Sequence, residues 1–117
     1  MAAYNDLPVY KAAYDLLLQL FALAHNLSRE YKYTIGEKLK NEVTELLTDI
    51  YRANRVWEKP AIIEQAREKL EVIRLYTRIL RDTNQIGQRK QIFINEKVEI
   101  VSRQLAGWHK SVNKPST

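Results

Sequence analysis

An apolar side chain returns every three or four residues through almost all of this 117-residue chain, and no stretch alternates with period two for long enough to form a strand. The first segment carries Val9, Ala13, Leu16, Leu20, Leu23 and Leu27 at alternating four- and three-residue steps. The second carries Ile35, Leu39, Val43, Leu46, Ile50, Ala53 and Trp57, and the third Ile63, Ala66, Leu70, Ile73, Thr77 and Leu80. Ile94, Val98, Val101, Leu105, Trp108 and Val112 complete the set. Each row is the buried seam of an amphipathic helix.

Punctuation falls between the rows. Asp6 stands where a helix N-cap belongs, with Pro8 tolerated in the first turn. Thr34 and Glu37 have capping-box spacing, in which hydroxyl and carboxylate each satisfy a backbone amide. Pro60 opens the third helix, and Thr83 to Gln88, with Gly87, makes the next turn. The spacing predicts helices at about 7–27, 35–58, 60–82 and 89–113, with 114–117 a tail. Matched lengths and short connections predict an all-α protein: one domain over 1–117, an up-down-up-down antiparallel four-helix bundle. Gly107, inside the fourth row, weakens that helix end or lets another backbone approach.

Chemistry is sparse in this pattern. The chain has no Cys, which excludes disulfides and thiolate chemistry and fits a reducing cytoplasm. Its only histidines, His25 and His109, sit near helix ends, and no Glu-x-x-His pair, HExxH, GxSxG or phosphate-binding glycine loop occurs. The seams carry no carboxylate. We therefore expect no enzyme, no metal and no cofactor, and no uncharged apolar run is long enough for a membrane span.

Two features exceed what a bundle needs. Tyr10, Tyr14, Leu17, Phe21 and Ala24 form a second apolar seam on the first helix. One seam suffices for the core, so Tyr10, Tyr14, Leu17 and Phe21 are expected at a homo-oligomer interface. The net charge of +5 is also concentrated late, residues 84–117 holding six cations against two anions. Arg74, Arg78 and Arg81 lie at 4-3 spacing with no acid between them on their stripe. With Arg89, Lys90, Lys97, Arg103 and Lys110 they make the candidate surface for nucleic acid or an acidic partner. Dipole stabilisation at helix ends explains the same arginines without any ligand. An interaction adaptor that never touches nucleic acid is the competing reading.

The segments Leu7-Pro8-Val9-Tyr10-Lys11-Ala12-Ala13-Tyr14-Asp15-Leu16, Leu27-Ser28-Arg29-Glu30-Tyr31 and Ile35-Gly36-Glu37-Lys38-Leu39 resemble the four-helix-bundle proteins of ribosomal RNA intervening sequences. Within that group the chain is most similar to Avd, the accessory variability determinant of diversity-generating retroelements. Leu46-Leu47-Thr48-Asp49-Ile50-Tyr51-Arg52-Ala53-Asn54 and the basic last helix carry that closer likeness. The resemblance implies a non-catalytic pentamer that associates with a reverse transcriptase and with RNA and possibly DNA, supporting mutagenic cDNA synthesis. It transfers no defined site residue by residue.

Overall fold

A computed structural model describes residues 3–113, so the expected tail at 114–117 lies outside the described residues. Four long helices dominate: α1, Pro8–His25; α3, Ile35–Ala53; α4, Lys59–Asp82; and α5, Gln88–Val112. Between the first two lies a single turn, α2, Arg29–Lys32. No period-3.6 seam announces α2, and four residues are too few to show one.

The helix boundaries correct several expectations. Asp6 does not cap α1. It is drawn into a 3₁₀ turn, Tyr4–Asp6, and extended Leu7 takes the N-cap position ahead of Pro8. The Thr34–Glu37 capping box does not form. The Thr34 hydroxyl instead donates to Glu30 O at 2.7 Å, closing the turn of α2, and Glu37 pairs with Lys40 at 2.8 Å. Helix α3 stops at Ala53 rather than 58, because the chain must reverse before Pro60. The Lys59 ammonium donates to the Ala53 carbonyl at 2.8 Å, satisfying an orphan acceptor of the helix end. Trp57, counted in the core register, is therefore in the turn and 99% exposed.

The turn after α4 is set by Asn84 rather than Gly87. Asn84 adopts φ 62°, its N–H donates to Arg81 O at 3.1 Å, and Gln85 N–H donates to Leu80 O at 2.8 Å. That is a Schellman ending, with Asn in the left-handed position that glycine usually fills. Gly36 has a different reason to be glycine. A Cβ there would lie 3.2 Å from Tyr31 O, where α3 passes close to α2. At Gly107 nothing lies within 4 Å, so no described backbone approaches it.

Helix α1 packs against α3 and α5, and α4 completes the bundle between those two. Neighbours run in opposite directions: Arg74 meets Glu99 while Glu64 meets His109, and Lys69 meets Asp49 while Lys59 meets Ala53. The resulting rod measures 53 × 20 × 20 Å. Leu16, Leu20, Leu39, Leu46, Ile50, Ile63, Leu70, Ile73, Leu80, Ile94 and Leu105 fill its axis, each essentially inaccessible to water.

One carboxylate does enter the core, against the expectation of carboxylate-free seams. Asp49 is only 4% exposed and pairs with the Lys69 ammonium at 2.6 Å, locking α3 to α4. Nearby Glu42 has its pKa raised by burial, then by Glu45, with Lys69 opposing. Removing one member of a buried pair strands the other charge, so Lys69→Ala is expected to cost about 3 kcal/mol in chemical denaturation. Asp49→Leu combined with Lys69→Met should recover most of that loss.

Candidate nucleic-acid and partner interface

Each arginine of the α4 stripe follows a core residue: Arg74 after Ile73, Arg78 after Thr77, Arg81 after Leu80. That offset turns the stripe away from the axis and brings Arg74 against α5. Arg74 lies 2.9 Å from Glu99 of α5 and 3.3 Å from Glu71, and Arg78 lies 3.5 Å from Asp82. The stripe is therefore not an uncompensated row: Glu71 lies one turn earlier on the same stripe, Asp82 on the next, and Glu99 on α5. Arg81 alone of the three has no carboxylate within ion-pair distance among the described residues.

The α5 cations divide in the same way. Lys97 is held by Asp15 of α1 at 2.6 Å, and Arg103 lies 4.0 Å from Glu99. Arg89, Lys90 and Lys110 have no carboxylate partner among the described residues. Lys90 and Lys97 both stand over the Phe93 ring, at 5.5 and 5.4 Å from its centroid. Phe93 is 37% exposed, so this cation–aromatic group faces solvent. The Asn84 turn gathers Arg81, Arg89 and Lys90 at one end of the rod. Lys110 lies at the other end, and Arg74, Arg78, Lys97 and Arg103 are spent at least partly on internal ion pairs.

The second seam of α1 opens along the groove between α1 and α3. Tyr14 and Phe21 are 47% and 41% exposed, while Tyr10 and Leu17 are partly buried against the core. Tyr4, Tyr10, Tyr14 and Leu17 of one wall face Thr44, Leu47, Thr48 and Tyr51 of the other, around a cleft of about 390 Å³. Tyr4 sits edge-on to Tyr10 and Tyr51, with centroids 5.1 and 4.7 Å away. Burial, then neighbouring Tyr4 and Tyr14, raises the Tyr10 pKa, which keeps its hydroxyl neutral. Lys40 stands over Phe21 at the far end. Only Ala24 of the second seam is fully enclosed.

His109 approaches Glu64 at 3.5 Å, and His25 is exposed. No group of three or more His, Asp or Glu able to hold a metal occurs among the described residues. None of the described helices is long and apolar enough to cross a membrane. Sequence reasoning missed two notable residues, Asp49 and Trp57. The signal for Trp57 was Pro60, which demands a turn before it. Asp49 gave none, since burial there depends on where α4 lies.

Four long helices packed compactly, with a cationic turn at one end and an exposed aromatic groove along one side, define an all-α helical bundle. A family model described as bAvd-like matches residues 9–112, and the chain belongs to that family, the bacterial Avd of diversity-generating retroelements. It is thus an accessory protein of such an element, in a family that is generally non-catalytic. Comparison with curated proteins finds no match.

The Arg74–Glu99 contact has a defined pH signature. The hydrogen bond from Arg74 lowers the Glu99 pKa below its ordinary 4.5. A lowered folded-state value contributes stability that is complete above the unfolded value and lost as pH falls through the folded one. Thermal melts of wild type and Glu99→Gln should therefore differ modestly at neutral pH and converge as pH falls from 4.5 through the lowered Glu99 value.

Proposed function

We propose that this protein assembles as a homopentamer, binds the retroelement's reverse transcriptase and its template RNA or cDNA, and so supports mutagenic cDNA synthesis in the bacterial cytoplasm. The chain forms one bundle domain and performs no catalysis itself. The observation that carries the reading is the match to the bAvd-like family over residues 9–112, joined to three cations without carboxylate partners at one turn, Arg81, Arg89 and Lys90. Positive side chains lacking internal partners keep their charge for phosphates. Five copies repeat the monomer's +5, multiplying the field and the number of contacts.

The groove lined by Tyr10, Tyr14, Leu17 and Phe21 supports self-association, because aromatic surface of that extent is expensive to leave in water. Tyr14→Asp and Phe21→Asp should each dissociate the assembly while leaving the helices folded. Light scattering at micromolar concentration reads this directly, and a wild-type monomer would remove the pentamer from the proposal.

Binding is expected to fall steeply with salt, with little preference between RNA sequences, since phosphate charge supplies the affinity. Arg81→Glu with Arg89→Glu should weaken a gel shift of structured RNA and flatten its dependence on salt. The Arg74→Glu variant should lose less, because Glu71 and Glu99 already neutralise that arginine. Unchanged RNA binding by the Arg81/Arg89 pair would move the surface to Arg103 and Lys110. A wild-type protein that retains the polymerase but no RNA would leave only an adaptor.

A further inference from the structure

At the end of the rod away from the Asn84 turn, the connection between α3 and α4 carries an unusual set of side chains. Trp57 is 99% exposed, so its indole touches almost nothing in the chain. Arg52, in the last turn of α3, and Arg55, at the start of the connection, have no carboxylate within ion-pair distance among the described residues. Arg55 is oriented: its guanidinium donates to the Tyr51 hydroxyl at 2.8 Å and lies 5.5 Å from that ring's centroid. Glu58 is the one acid of the connection, and it forms no ion pair with either arginine.

We infer that this connection is a binding site for single-stranded nucleic acid, with an unpaired base stacked on Trp57 and the adjoining phosphates met by Arg52 and Arg55. This rests on the nucleic-acid reading above but names a second site and a strand form. The argument is one of complementarity. A free indole face seeks a flat apolar partner, and guanidinium groups without a carboxylate partner seek anions. One nucleotide offers both, a base face joined to a phosphate. A duplex offers only the phosphates, because its bases are already stacked on one another. A protein anchor pocket would be matched by a ring of apolar neighbours around the tryptophan. Here Val56 is the one other apolar residue of the connection, and Arg52 and Arg55 have no carboxylate partner among the described residues.

Stacking and charge respond differently to salt, which makes the site separable from the Arg81–Arg89–Lys90 surface. The full-length protein is titrated with an unstructured oligouridylate and with an RNA duplex of equal phosphate count, as wild type, Trp57→Ala and Trp57→Phe. The alanine variant should bind oligouridylate about fivefold or more weakly, with duplex affinity unchanged. The phenylalanine variant, which keeps a stacking face, should stay close to wild type. Circular dichroism melts should not move, since the side chain packs against nothing. Equal losses on both RNAs, or no loss on either, would overturn the inference while the wider nucleic-acid reading stood. A wild-type protein that binds neither RNA would remove that reading and the inference together. Intact oligouridylate binding with weakened retention of the polymerase by Trp57→Ala would overturn it in favour of a protein partner.

Discussion

Four helices sharing one axis have room to bury one stripe each, and the rest of this structure follows from that limit. In a rod 20 Å across, the seams of α1, α3, α4 and α5 meet along the centre and exclude water from Leu16, Leu46, Leu70 and Leu105 alike. Each such side chain contributes roughly 1.5–3 kcal/mol by leaving water. A second apolar stripe on any helix cannot reach the axis. On α1 that stripe becomes the Tyr10–Tyr14–Leu17–Phe21 groove, half sheltered by α3 and otherwise open.

The same geometry sorts the charges. Side chains one step from the core point along the seams between helices, where they meet the neighbouring helix. Asp49–Lys69 ties α3 to α4, Arg74–Glu99 ties α4 to α5, and Lys97–Asp15 ties α5 to α1. Only the first is well buried, and it alone carries a substantial penalty if broken. Cations caught in these bridges help align the helices. Those at the turns lie beyond reach of a neighbouring acid among the described residues.

In this member of the bAvd-like family the free cations of the turns and the aromatic groove fall on different parts of the rod. Among the described residues, the turns at the two ends of the rod carry cations without carboxylate partners, Arg81, Arg89 and Lys90 at one and Arg52 and Arg55 at the other. The groove along the side is largely aromatic, with Lys40 over Phe21 and Arg55 over Tyr51 at its rim.

The heptad-like rows were enough to establish four helices, their buried faces and the surplus stripe on the first. Burial of a seam is local information, written in which residues recur at helical spacing. Net charge and the crowding of cations after residue 84 were equally plain. The partners of those charges were not. Glu99 lies 25 positions from Arg74 and Asp49 lies 20 from Lys69, and only the packing of α3, α4 and α5 brings them together. The ends of helices were likewise decided by competition for hydrogen bonds. Thr34 closed α2 instead of capping α3, and Lys59 closed α3 and so left Trp57 outside the core. Periodicity fixes a face because it acts within one helix; ion pairs and turns depend on what stands opposite, which only the tertiary structure supplies.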